Sequence, residues 1–187
     1  MPIPLSLPED FAVAPGSGRP LLFLWTILGA ALALPLLLTL NAHGSGRLGT
    51  ASTWLGPALV LLTGAIVTAA YRRQRITLDT TGLTIRSTFY TRTAAISALK
   101  LEQARIVDLA EHTSLQPALR TNGYSLPGFR AGHFRMRGGG KAFCLVTDSS
   151  RVLVLPLRDG STVLISPEHP HALLDALRQL AGAPRPA

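Results

Sequence analysis

Two apolar runs, residues 20–40 and 54–71, dominate the first part of the chain, and between Arg19 and Arg72 the single charged side chain is Arg47. Wound as helices at 1.5 Å per residue, runs of 21 and 18 residues reach about 32 and about 27 Å, close to the ~30 Å hydrocarbon core of a bilayer. A helix satisfies its own backbone hydrogen bonds in lipid, so the pattern predicts a two-helix transmembrane hairpin over residues 20–71. From Ile76 the apolar period changes to two. Ile76 and Leu78 alternate with Thr77 and Asp79, Leu83 and Ile85 alternate with Thr84 and Arg86, and Asp79-Thr80-Thr81-Gly82 between them reads as a tight turn. Further strands are predicted over 89–96, 104–109, 132–137, 141–147, 151–157 and 162–165, with Asp159-Gly160 as a second hairpin signal. The period then changes once more. Leu173, Leu174, Leu177 and Leu180 recur at helical spacing, with Ser166 as N-cap, Pro167 at the first helical position, and Gly182 and Pro184 as the stop.

These elements predict a helical hairpin joined to an α+β domain, a meander of about seven strands followed by one amphipathic helix. An isolated helix of that length is marginal in water, so its apolar stripe is expected to plug one open end of a bent sheet. The organisation is then a tail over residues 1–19, the hairpin over 20–71, and a folded domain over 72–187.

Flanking residues orient the hairpin. Arg72, Arg73 and Arg75 crowd the end of the second helix, whereas the connecting loop holds Arg47 alone. The positive-inside rule places both termini in the cytoplasm, and Trp54 and Tyr71 bracket the second helix as interfacial aromatics. The first run lacks the basic start of a signal peptide, since Glu9 and Asp10 precede it with Arg19. Gly29 with Ala33, and Gly64 with Thr68, are spaced for close helix contact, and Pro35 and Pro57 are candidate kinks. Neither run contains an ionisable side chain, which argues for an anchor rather than an ion path.

Charge sharpens the reading of the domain. Sixteen of the 18 Lys and Arg residues and eight of the ten acidic ones lie from Arg72 onward, so this region carries the whole formal charge of +8. A basic domain beside a membrane points to anionic lipid headgroups or an acidic protein partner. The cations are scattered without a dense run or a recognisable motif, so nucleic acid is not expected. One cysteine, Cys144, excludes an internal disulfide, and its strand-like setting predicts burial. His169 and His171 lack a third ligand, so neither a metal nor another cofactor is expected.

Residues 110–130 form the longest stretch without a periodic signal, and loops of such length are commonly functional. Within it Arg120 and Arg130 suit anion contacts and Tyr124 a packing or stacking role; equally, Gly123, Pro127 and Gly128 suit a simple connection. Glu111 beside His112 resembles an acid–base pair, but neighbouring loop residues do not generally face each other. His133, Arg135 and Arg137 share the solvent face of one strand with Lys141 nearby, forming the best basic patch in the domain.

The residues Arg120, Gly123, Pro127-Gly128-Phe129, Gly132, Phe134, Ser166-Pro167 and Pro170 resemble the bacterial pleckstrin-homology-like domain family. The resemblance implies a seven-stranded bent β-barrel with a C-terminal capping helix, and a binding role. Eukaryotic relatives bind phosphoinositides through basic residues around the first hairpin. Here that turn carries Asp79, with only Arg75 and Arg86 on the flanking strands, which departs from the pattern. The expected function is thus a membrane-anchored interaction module at the cytoplasmic face of the inner membrane, binding a protein partner or lipid headgroups. The alternatives are a small membrane enzyme using His112 or His133 on an anionic substrate, or an accessory subunit of a membrane complex.

Overall fold

The computed structural model describes residues 8–16, 18–41, 51–87 and 90–182, without the side chains of residues 19–20, 34–36, 38–41, 51–54 and 70–72. The chain divides into two compact units, one formed by residues 18–72 and the other by the segments on either side.

The first unit is a pair of helices, α1 (Arg19–Asn41) and α2 (Ala51–Arg72), with Pro57 inside the second. They meet where Gly64 is buried. A Cβ built there would lie 2.8 Å from Leu28 Cδ1 and 3.2 Å from the Trp25 ring, so glycine admits the opposing side chains. Thr68, one turn on, donates its hydroxyl to the Gly64 carbonyl at 2.7 Å. Of the two small-residue pairs, this one marks the contact; Gly29 has nothing within 4 Å of a built Cβ, and Ala33 is exposed. Among the described residues, no helix is long and apolar enough to cross a membrane. The loop with Arg47, the side chains of Trp54, Tyr71 and Arg72, and residues Phe89 and Pro184 lie outside the described residues.

Among its described residues the second unit has ten strands in two sheets. The first sheet has the order β1 (Glu9–Phe11), β2 (Gln74–Leu78), β3 (Gly82–Ser87), β4 (Tyr90–Ala95), with every neighbour antiparallel. The β2–β3 turn forms as the pattern predicts. Asp79 N–H bonds the Gly82 carbonyl at 3.0 Å, and Asp79 Oδ1 accepts from the Thr81 N–H at 3.0 Å.

β1 comes from the segment read as a tail. Asp10 accepts from the Thr77 hydroxyl at 2.8 Å and pairs with Arg75 at 3.3 Å, closing the outer edge of β2. Beyond β1 the segment runs on to the second sheet. Glu168 N–H bonds the Ala12 carbonyl, Ala14 N–H bonds the Ser166 carbonyl, and the Thr147 hydroxyl bonds the Ala14 carbonyl. Three residues of strand are too short to show a period, so the sequence carries no sign of this strap.

The second sheet has the order β5 (Arg105–Val107), β9 (Val152–Pro156), β10 (Thr162–Ile165), β8 (Lys141–Val146), β7 (Phe129–Met136), β6 (Pro117–Leu126). It is not a meander. β10 inserts between β9, to which it is antiparallel, and β8, to which it is parallel. The reason lies in composition: Thr162 to Ile165 are all buried, as are Ala142 to Val146 and Val152 to Leu155. Strands apolar on both sides must have both faces covered, which the middle of a sheet provides. One face gathers Val107, Leu109, Phe134, Cys144, Val154 and Leu164 among others. Alternation directs Phe143, Leu145, Leu153, Leu155, Val163 and Ile165 to the other face, all nearly or wholly buried. Cys144 sits in this core, where burial pushes its thiol up to about 12 against the weaker opposite pull of Arg130. Such a thiol is an inert packing group.

Residues 110–130 are mostly structured. A 3-10 turn at Thr113–Leu115 precedes β6, which forms a hairpin with β7. β6 shows no alternation because it is the outermost strand, mostly exposed, with irregularities between Pro117 and Leu119 and between Arg120 and Asn122. Irregularities of this kind bend a strand and increase its local twist.

Helix α3 (Pro170–Gly182) buries Leu173, Leu174, Ala176 and Leu177 and contacts both β9 and the 3-10 turn at Ile96–Ala98 that follows the first sheet. It begins later than expected. Ser166 ends β10's path, its hydroxyl bonded to the Asp148 carbonyl at 2.7 Å, and Pro170 rather than Pro167 takes the first helical position. The domain is therefore β-rich with a C-terminal helix, compatible with a pleckstrin-homology-like fold, with ten strands instead of seven.

Two experiments test this architecture. Gly132 has φ +108°, and a Cβ there would lie 2.5 Å from both the Asn122 carbonyl oxygen and the Gly123 Cα. Gly132→Ala should therefore lower stability by roughly 1–3 kcal/mol. Gly139→Ala, at φ +92° but in open space, should cost distinctly less. Denaturant melts of the two variants decide; equal losses would deny the close approach of β6 to β7. The second concerns the crossing from β8 to β9. Asp148 Oδ1 accepts from the Ser150 N–H at 2.9 Å and the Ser150 hydroxyl at 2.7 Å. Those bonds, in that order, hold its carboxyl below the usual range, with a smaller contribution from Arg151. A depressed carboxyl stabilises the fold above its unfolded value of about 3.9, and that contribution is lost as pH falls through the lower folded value. The difference in thermal midpoint between wild type and Asp148→Ala should hence be widest at neutral pH and narrow below about pH 4. A constant difference would show that ionisation plays no part.

Candidate functional site

A groove of about 1070 Å³ is lined by residues of both sheets. Arg92 of β4 lies on one side and Thr121 and Asn122 of β6 on the other; His133, Arg135, Lys141 and Phe143 of β7 and β8 line it, as does the turn Asp159-Gly160-Ser161. β4 and β6 are the outermost strands of their sheets. The Tyr90 hydroxyl donates to Asn122 Oδ1 at 2.9 Å, so a side-chain bond links one edge to the other.

His133 is half-buried, contrary to the solvent-facing position expected from alternation. Its ring stands edge-on to Phe143 at 5.2 Å and to Tyr90 at 6.2 Å. The rings of Phe143 and Tyr90 beside it shield His133, while Arg135, two residues on along the same face of β7, stays exposed. His133 Nδ1 is enclosed without a hydrogen-bond partner, while the residue's backbone carbonyl accepts from the Thr121 hydroxyl at 2.9 Å.

Arg135 and Lys141 stand directly opposite each other across β7 and β8, both exposed. Like charges at such a pair are destabilising. Asp159 is the one carboxylate in the lining, and it is engaged elsewhere. Its Oδ1 accepts from the Ser161 hydroxyl at 2.6 Å and the Ser161 N–H at 2.8 Å, and its Oδ2 lies 3.5 Å from Arg92. The Ser161 bonds first, and Arg92 less, hold its carboxyl below the usual range and keep it charged. Three cations against one carboxylate leave the groove positive, with Arg135 and Lys141 outside any ion pair among the described residues.

The other sequence candidates are dispersed. Arg120 is exposed on β6 opposite Phe134, beside the second irregularity. Tyr124 packs at 5.6 Å from Phe129 and 6.1 Å from Tyr90, a stacking role inside the fold. Arg130 is half-buried on β7 opposite Val146, near Cys144 instead of the groove. Arg137 is exposed at the strand end, its N–H bonded to the Gln116 carbonyl. Arg73 is exposed, and Arg75 is tied to Asp10. Glu111 and His112 do not form a pair: His112 Nδ1 lies 3.1 Å from the Asp108 carbonyl, and Glu111 is exposed. His169 and His171 are exposed, and among the described residues no three His, Cys, Asp or Glu side chains gather as metal ligands.

Of the basic patch, the structure brings together His133, Arg135 and Lys141 and leaves out Arg137. Arg92, Asn122 and Ser161 were not singled out from the sequence. Asp159-Gly160-Ser161 was legible as a turn, but its convergence with Arg92, 67 residues away in sequence, has no local signal.

The Bacterial PH domain family model matches residues 74–181. No curated protein and no solved structure shows a match. The matched stretch runs from the first residue of β2 into the last turn of α3, so it takes in the groove and omits β1 and the helical pair. On the extent of that match, more than half of the sequence, this chain belongs to the bacterial PH domain family.

Proposed function

We propose that the chain is a membrane-anchored interaction module, in which the helical pair holds the bacterial PH domain at the cytoplasmic face of a membrane to bind a partner through its basic surface. The observation that carries this reading is where large apolar side chains are exposed. Leu22, Ile27 and Leu37 on α1 and Leu55, Leu59 and Leu62 on α2 are each more than half exposed. Outside the helices, Leu119 alone among the described residues is an exposed large hydrophobic. Water disfavours so continuous an apolar surface, whereas lipid or another protein accommodates it.

Hydroxyls on the helices support the same environment. Thr26 and Thr63, both exposed, donate to the carbonyls four residues earlier at 2.7 and 2.8 Å. This internal bonding is what an apolar medium demands of a polar side chain. The helices contain 23 and 22 residues, about 35 and 33 Å of rise at 1.5 Å each. An uncharged sequence from residue 20 to 46 and from 48 to 71 accompanies that length. A bacterial PH domain suggests a binding role, and the groove with its surplus of cations suits an anionic partner.

Alkaline carbonate washing of native membranes tests the anchor. The chain should remain in the pellet, and protease added outside intact cells should leave the domain uncut; extraction or external cleavage would defeat the reading. Crosslinking in the native membrane should then enrich a protein over a version carrying only residues 1–73.

A further inference from the structure

Three features of the groove converge on one class of ligand. Arg135 and Lys141 oppose each other without a carboxylate between them. The strands on either side, β4 and β6, are the unpaired edges of the two sheets. Arg92, on β4, already holds a carboxylate, that of Asp159, beside a serine hydroxyl.

We propose that this groove binds an extended acidic segment of a partner protein, with carboxylates at alternate positions taken by Arg135 and Lys141 and its backbone lying beside the edge strands. The inference rests on the interaction-module reading and names its partner's chemistry. In an extended strand, alternate side chains point the same way about 6.6–7 Å apart. The opposed pair on β7 and β8 lies at about 5 Å between Cβ atoms, and both side chains are long enough to splay and meet two such carboxylates. Each carboxylate would remove the like-charge repulsion that the folded domain now carries.

Edge strands favour a peptide over a lipid headgroup. A strand without a neighbour leaves backbone N–H and C=O groups open, and another peptide backbone is complementary to them. An ionised phosphate can answer the cations and accept from an N–H, but it has no donor for the C=O groups, whereas a peptide backbone answers both.

The test uses the full chain in detergent micelles and a fluorescein-labelled peptide, Thr-Glu-Val-Glu-Thr-Glu-Val, followed by anisotropy. The peptide should bind, more weakly as salt rises, and its counterpart with Gln for every Glu should bind at least about tenfold more weakly. The double variant Arg135→Glu with Lys141→Glu, both exposed positions, should weaken the acidic peptide by a similar factor. Absent binding, equal binding of the two peptides, or a double variant with unchanged affinity would overturn the proposal. Phosphatidylcholine vesicles with and without phosphatidylserine provide the competing arm. Loss of phosphatidylserine binding in the double variant with peptide affinity intact would make the groove a headgroup site instead. Should the variant fail to fold, the Glu and Gln peptides and the salt series on wild type still decide. Because the titration is done in micelles, it is independent of the carbonate result, which judges the anchor alone.

Discussion

Water must be kept from both faces of β8, β9 and β10, and that requirement organises the domain. Each fully buried Leu or Ile contributes roughly 1.5–3 kcal/mol, whereas an exposed ion pair such as Arg75 with Asp10 contributes about 0–1 kcal/mol. Packing therefore decides the strand order, and the ion pairs adjust to it. β10, buried at every position, occupies the middle; β6, mostly exposed, is left at the rim. The remaining elements cover what the central strands present: α3 lies against β9 on its way across to the first sheet, and Leu115 and Met136 pack on the cluster around Cys144.

The groove follows from the same constraint. At the Arg135–Lys141 end of β7 and β8 the apolar pattern gives out, and polar side chains line the groove. His133 marks the transition, with aromatic neighbours on the core side and an unsatisfied ring nitrogen. A buried polar atom without a partner is uncommon in a settled core and more frequent beside functional surfaces. Carrying a like-charged pair at the same end means that the domain trades some stability for a positive cleft, a familiar feature of binding sites.

Much of the architecture could be read along the chain because its signals were local. The helical pair, the Asp79–Gly82 turn, the Asp159-Gly160 turn and the stripe of α3 each depend on residues a few positions apart, and these appear close to where the pattern put them. What could not be read depends on distant partners. β1 is three residues long and acquires meaning only through β2 and the residues around Ser166. β6 lacks alternation because an edge strand has no buried face to impose one. The parallel placement of β10 beside β8 is a choice between topologies with nearly the same apolar pattern. For the groove, strand parity put His133 and Arg135 on one face with Arg137, of which the first two line it with Lys141, but Arg92 and Ser161 reach it only through the meeting of two sheets. The helical exterior was legible as apolar; its surroundings belong to experiment.

The strap at the front of the domain has a consequence for how the polypeptide is made. Asp10 waits 67 residues for Thr77, and the Ala14 carbonyl waits 133 for Thr147. At about 5–20 residues per second, the latter interval is roughly 7–27 s of translation. Both long helices are made during it, and the leading segment meets its first companion strand only when β2 follows them. The helical pair is thus an insertion within the domain's sequence, and the folded body can be closed only once the residues that follow the pair have been made.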